Sequence, residues 1–291
     1  QGSEELVINS RDTISQTNGS ILGDSVSVSA GDSIKQDGGV ISGKVVGLTT
    51  PEFEQLNEAQ LIGDQLNLNI RKKLLNKALI QSVESFYLGA DVIENHGLII
   101  GQSDVGINTE KLTHSGGLEV GGDLTISLGE SLGESSVEKQ GYANQGGSVN
   151  VGQEMQVSGQ GNISFTDKGT VLVGRDLVVE TAGDFENSDS TILAGGDILF
   201  GSQHNNIGDF KSNGTIDSGG QLAVFADTVL LKSGVFQSID GMVIRTGDFE
   251  SSGEGTIYSQ GTVDIVGSES LINDAQIGSA ESLKLEAENG I

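Results

Sequence analysis

Val26-Ser27-Val28, Val46-Gly47-Leu48, Leu66-Asn67-Leu68 and Phe86-Tyr87-Leu88 stand twenty residues apart, each an apolar pair around one intervening residue. The pattern extends along the chain. Its first position runs through Leu6, Val26, Val46, Leu66, Phe86, Val105, Leu124, Met155, Leu177, Ile198, Leu222, Met242, Val263 and Leu283. Two residues later come Ile8, Val28, Leu48, Leu68, Leu88, Ile107, Ile126, Val157, Val179, Phe200, Val224, Ile244, Ile265 and Leu285. The chain is 35% apolar, so chance fills one such column with a probability on the order of 10⁻⁶ before the free choice of register is allowed for.

Spacing of i, i+2 puts alternate side chains on one face of a strand. Six residues before the first column a third emerges: Val40, Ile80, Ile99, Leu118, Val149, Val171, Ile192, Ile216, Phe236, Ile257 and Ile277, displaced by one at Ile21 and Leu61. A looser fourth column follows the second through Ile14, Ile34, Leu56, Leu75, Ile93, Leu112, Ile163, Phe185, Leu230, Phe249 and Leu271. Gly and Asp recur between them, as in Gly122-Asp123 and Gly196-Asp197, and suit tight corners. One repeat is thus three short strands, which cannot bury an apolar face until coils stack. The expected fold is all-β: a right-handed parallel β-helix of about 14 coils of ~20 residues, its hand taken from crossover chirality. Residues 1–291 read as a single β-helix segment of a longer chain, because both ends fall inside a repeat.

Composition narrows the function classes. Fifteen Lys and Arg stand against 41 Asp and Glu, a net charge of −26. Such a surface repels phosphate, so no nucleic acid partner is expected. No apolar run is long enough to span a membrane. There is no Cys for a disulfide, a thiolate metal site or a nucleophile. Phe86, Phe200, Phe236 and Phe249 are most simply core residues, within a narrow lumen that favours aliphatic stacks.

Three stretches break the rhythm. Insertion loops are expected at about 129–147 and 201–209, which lengthen two steps to 31 and 24 residues. An irregular coil at about 49–79 holds Arg71, Lys72, Lys73 and Lys77, within a segment that suits a short helical turn or a basic strand edge. Pro51 is placed in a corner loop. Loops on a rigid scaffold often carry binding. The candidate partner-binding residues are therefore Glu138, Lys139, Tyr142, Asn144 and Gln145 in the first loop, His204, Asn205 and Asn206 in the second, and Arg71, Lys72 and Lys73. The first loop is expected to add nothing to the core, so that removal of residues 130–145 leaves the coils folded.

Units such as Ser212-Asn213-Gly214-Thr215-Ile216 followed by Gln221-Leu222-Ala223-Val224, with Glu94-Asn95-His96-Gly97-Leu98-Ile99 and Thr17-Asn18-Gly19-Ser20-Ile21, resemble the repeats of filamentous-haemagglutinin-type exoproteins. The shared pattern is roughly Asn-x-Gly-x-Ile, a glycine, then Leu-x-Leu-x-Ala, and it covers nearly the whole chain. Asn is lost around Ser190 and Gly255. The resemblance implies secretion by a two-partner (type V) system of a Gram-negative bacterium, through an outer-membrane transporter, to the cell surface. It implies an adhesin, or the stick of a contact-dependent growth inhibition effector, that recognises an outer-membrane receptor protein or surface glycan on another cell; the segment is expected to be monomeric.

Catalytic and metal chemistry find little support in the residues. His96 and His114 are 18 apart, close to one repeat, and read as surface turns; a metal would need further ligands. The Asp-rich corners lack the tandem nonapeptide of calcium β-rolls. No metal and no cofactor is expected. A carbohydrate-active β-helix is the competing class, with Tyr142 or Tyr258 as sugar platforms, but no pair of carboxylates stands out. The expectation is a non-enzymatic segment that either binds or spaces.

Overall fold

The computed structural model describes residues 5–129 and 141–287. Thirty-two strands and no helix occur among them. The chain divides into two compact units, Gln1–Gly129 with Gly147–Gly152, and Glu130–Gly146 with Gln153–Ile291. Each is a parallel β-solenoid, in which the three faces of a coil pair with the equivalent faces of the next, either as separate short strands or fused into one long strand such as Val40–Leu56.

The first two apolar columns are physical stacks. In the first unit Leu6, Val26, Val46, Leu66, Phe86, Val105 and Leu124 pair in register, each with the next. In the second, Met155, Leu177, Ile198, Leu222, Met242, Val263 and Leu283 do the same. The positions two residues on stack beside them, which makes the first of three sheets. Alternation then fixes the inside: Val26 and Val28 are buried, whereas Ser27 is exposed.

The other two sheets follow the same rule with one-residue corrections. Spacing alone puts Val40 in the third column. In the structure Ile41 occupies it, between Ile21 and Leu61, and Val40 pairs with Ser20. The column is therefore unbroken in the early coils. In the fourth column Phe53, Leu74 and Val229 point inward, whereas Leu75 and Leu230, one residue on, and Leu56, three residues on from Phe53, do not. A strand's side-chain period is two, so a slip of one residue inverts the face.

The lumen of the second unit holds an aromatic stack. Tyr142 meets Phe165 edge-on at 5.5 Å, and Phe185 lies 4.5 Å from Phe200 and 4.8 Å from Phe210. Phe210 in turn meets Phe236 at 5.8 Å. Phe86, Phe200, Phe236 and Phe249 are core residues, but the lumen is not an aliphatic preserve.

Buried polar side chains hold the corners. In the first unit Gln16, Gln36, Gln55, Asn76, Asn95 and His114 form one internal column in the second sheet. Gln36 Nε2 donates to Gln60 O at 2.9 Å, in the next coil, and Asn76 Nδ2 to Asn95 Oδ1 at 2.7 Å. Each bond ties a corner to its neighbour and satisfies a polar group that burial would otherwise penalise. In the second unit Ser218, Ser238, Ser259 and Ser279 form a hydroxyl column in the third sheet. Outside, the Gly-Asp corners form a ladder of their own. Asp176 Oδ1 accepts from Asp197 N, and Asp197 Oδ1 from Gln221 N, both at 2.7 Å. A Cβ on Gly196 would collide with that Asp176 carboxylate, so glycine is needed before the aspartate for close approach.

The insertions are smaller than the spacing suggests. Residues 142–145 form the strand Tyr142–Gln145, in register with Ile163–Thr166. The second excursion is confined to 202–206, closed by backbone bonds between Ser202 and Asn205, and Ile207 is already buried in the strand Ile207–Ser212. Removal of residues 130–145 would therefore delete core, contrary to the expectation from sequence.

Because the aromatic stack fills the second unit, Phe185→Ala is expected to lower its stability by roughly 3–5 kcal/mol and Phe185→Leu by less than half of that. Urea unfolding followed by circular dichroism measures both.

Candidate functional site

The packed lumen leaves the exterior as the place where a partner can be met. The basic segment Ile70-Arg71-Lys72-Lys73 lies inside the long strand Gln60–Asn76, neither in a helical turn nor at a sheet edge. Thr50 pairs with Ile70 and Glu52 with Lys73, so Pro51 alone faces both Arg71 and Lys72. This is a β-bulge. Pro51 explains it: the residue has no N–H to give the ladder, and bulges accept proline. It sits within the strand Val40–Leu56, not in a corner loop. The extra residue throws Arg71 and Lys72 outward, and both are exposed.

Beside the bulge runs a shallow groove of about 220 Å³, lined by Ser33, Lys35, Glu52, Glu54, Lys73 and Leu75. Lys73 pairs with Glu94 at 2.8 Å and Lys35 with Glu54 at 3.7 Å. Exposed pairs of this kind are worth about 1 kcal/mol or less. Arg71 and Lys72 have no carboxylate partner among the described residues. They are the uncommitted cations of this surface.

The second unit has a groove of about 240 Å³ on its own second sheet, lined by Glu186, Ser188, Lys211, Asn213, Leu230 and Lys232. Lys211 donates to Asp209 at 2.7 Å. That bond raises the ammonium's pKa and lowers the carboxyl's. The grooves share a recipe: Leu75 and Leu230 are floor residues because they point outward, and charged side chains rim them.

The other sequence candidates separate. His204, Asn205 and Asn206 are exposed on the 202–206 excursion, where Asn206 Nδ2 donates to Asp227 Oδ1 at 3.3 Å. Gln145 is exposed. Glu138 and Lys139 lie outside the described residues. Tyr142 and Asn144 are corrections, since both are fully buried. Tyr142 faces Phe165 in the lumen, where burial drives its phenol pKa upward, so it can serve neither as a contact residue nor as a sugar platform. Tyr258 is exposed. The bulge and the 202–206 excursion belong to different units.

His114 is a further correction. It is a lumen residue, not a surface turn. Its Nδ1 accepts from Asn95 Nδ2 at 3.0 Å, and its Nε2–H donates to Ser148 O at 3.1 Å. The first bond needs the neutral ring, since a protonated Nδ1 cannot accept; the second is open to neutral and charged imidazole alike. Burial holds its pKa below the usual value, against the hydrogen bond to Ser148 and with a small push from His96. No three His, Asp or Glu side chains among the described residues converge on a possible metal position. Sequence reasoning missed the internal amide column because polar residues beside a corner look like turn residues.

A parallel β-solenoid with a packed lumen and chemically varied outer strands is a β-helical repeat protein. The chain belongs to the haemagglutinin repeat family, whose profile matches residues 2–51, 87–132, 120–224 and 246–290. Neither curated proteins nor solved structures gave a match. The buried Asn95 clarifies the repeat's asparagine. In Asn95-His96-Gly97 it is an internal corner bond, whereas in Asn213-Gly214 the side chain is exposed and accepts from Asp189 N at 2.8 Å.

His114 gives a pH test. Its folded pKa is depressed, so its contribution is complete above the ordinary imidazole value of 6.5 and is lost as pH falls through the lower folded value. His114→Gln is expected to flatten the loss of first-unit stability between about pH 7.5 and about pH 5, as read by urea unfolding.

Proposed function

We propose that the chain is a non-enzymatic segment of a secreted, two-partner-type adhesin or effector stick, exported through an outer-membrane transporter to the surface of a Gram-negative cell. In this reading it recognises an outer-membrane protein or surface glycan on another cell. The family supports the adhesin class. The observation that carries recognition, as against spacing, is the Pro51 bulge. It places two unpaired cations, Arg71 and Lys72, beside a groove on a chain of net charge −26. Against that background a local cation pair is a distinctive feature for a partner carboxylate or phosphate, and Arg is suited to either. His204, Asn205, Asn206 and Gln145 are separate candidates on the second unit, and Glu138 and Lys139 are proposed from the sequence alone.

The test is binding of labelled fragment 1–291 to a panel of Gram-negative cells. Arg71→Glu with Lys72→Glu is expected to weaken binding by about tenfold or more, with unchanged circular dichroism, and added salt should reproduce part of the loss. Full binding by the double variant would remove the bulge from recognition. Absence of binding by the unaltered fragment would favour a spacer.

A further inference from the structure

From the second coil onward the outward side of the first sheet in the first unit carries no charge; in the first coil Glu5 stands outward, opposite Ser25. Over the outward positions of 25–29, 45–49, 65–69, 85–89, 106–108 and 125–127 it presents Ser, Thr, Gly, Asn and Gln, apart from Val45 and Tyr87. Charge begins at the rims, with Asp64 and Glu84 on one side and Arg71 and Asp91 on the other. The fold position does not require this. The corresponding sheet of the second unit carries Glu180, Arg245, Asp264 and Lys284, with Arg245 paired to Asp264. A charge-free strip several coils long stands out on a chain of net −26.

Tyr87 is its one aromatic, 45% exposed. It pairs with Asn67 on one side and Gly106 on the other. A Cβ built on Gly89 would stand 3.1 Å from the tyrosine Oη, and one on Gly106 3.8 Å from its Cδ2. The ring therefore lies along the sheet across both glycines and turns its other face to solvent. Asn67, Asn69, Asn108, Gln65 and Thr125 surround it at register-related positions, all exposed.

We infer that this face binds a neutral polysaccharide chain, with Tyr87 as the stacking plate and the flanking amides and hydroxyls as hydrogen-bonding partners. An anionic polymer meets cations only at the rims, where Lys44 is paired with Asp24 and Arg71 lies two residues beyond Asn69, and is repelled by the rest of the chain; a cationic one meets a carboxylate only at the rim, where Glu84 accepts from Gln65 Nε2 at 3.0 Å. A polyhydroxylated chain needs neither. Amides present donors and acceptors together, matching hydroxyl groups, and the C–H face of a sugar ring packs on an aromatic plane. A second copy of this chain would bring two strongly acidic molecules together. The inference rests on the adhesin reading only in taking a glycan as the natural ligand.

The test is retention of fragment 1–291 on neutral mannan, galactan and dextran by affinity electrophoresis, with heparin as the anionic comparison. At least one neutral polymer is expected to retard the protein. Tyr87→Ser should weaken that retention about tenfold, and so should Asn69→Glu, which adds charge without touching the core. Both variants should unfold like the unaltered protein. A ring over glycines can also be structural, so Asn69→Glu is the deciding variant if Tyr87→Ser unfolds early. Retention by none of the neutral polymers, or retention unchanged in Asn69→Glu, overturns the proposal. So does a dimer in sedimentation that Asn69→Glu dissociates, which would make the face a self-contact. Cell binding that persists without neutral-polymer binding would sink this inference and leave the adhesin reading standing.

Discussion

Coil-to-coil register is the constraint on which everything else depends. Parallel pairing sets each residue beside its equivalent in the next coil, so every inward position must tolerate a neighbour of its own kind. Aliphatic side chains do this by contact alone, as in the Val26–Val46–Leu66 column. Polar side chains do it by bonding along the stack, as Asn76, Asn95 and His114 do, although the side-chain oxygens of Gln16, Gln36 and Gln55 in the same column have no partner among the described residues. The acidic corners obey the same logic. Asp176 and Asp197 each accept a backbone N–H from the following coil, which gives the repeated Gly-Asp pairs a structural role and removes the need for a cation to explain them.

The first two columns were legible in the sequence because the Leu-x-Leu spacing of one strand repeats at nearly constant intervals. The others were harder to read for a physical reason. Leu74 and Leu75 are adjacent and equally apolar, so composition cannot say which one points inward; Lys73, Asn76 and the Pro51 bulge decide it. Tyr142 was obscured differently. It opens a strand just after a glycine-rich stretch, and a hydroxyl-bearing ring beside Asn144 reads as surface, whereas the lumen of the second unit is built to accept rings. Of the candidate site, the cations of 71–73 were visible as a cluster. Their separation into one paired lysine and two unpaired residues was not, because it depends on which residues lie opposite.

The same register explains how one scaffold can carry unlike surfaces. Outward side chains take no part in the lumen, and each coil touches only its neighbours, so an outer strip can change while the stack beneath it is kept. The first sheet shows this directly. Its inward columns are equivalent in the two units, yet its outer strip is neutral in one and ion-paired in the other. Salt-bridged strips such as Arg245–Asp264–Lys284 spend their charges on each other. An uncharged strip leaves its amides and hydroxyls open to solvent, available to whatever can replace water.

Lumen filling sets the limit on this freedom. In the second sheet of the first unit the inward positions alternate between Ile34, Phe53, Leu74, Ile93 and Leu112 and the amide column beside them. In the second unit Phe165 and Leu231 stand at positions where the neighbouring coils have Asn187, Ser212 and Ser251. An apolar residue there fills volume and forfeits a corner bond; an amide makes the bond and fills less. Neither choice is free, because close packing admits few voids and a buried polar group must find a partner. Adjacent coils therefore have to be matched as pairs, and it is this pairwise matching inside, with little restriction outside, that lets a repeat of twenty-odd residues drift widely in sequence while its fold is retained.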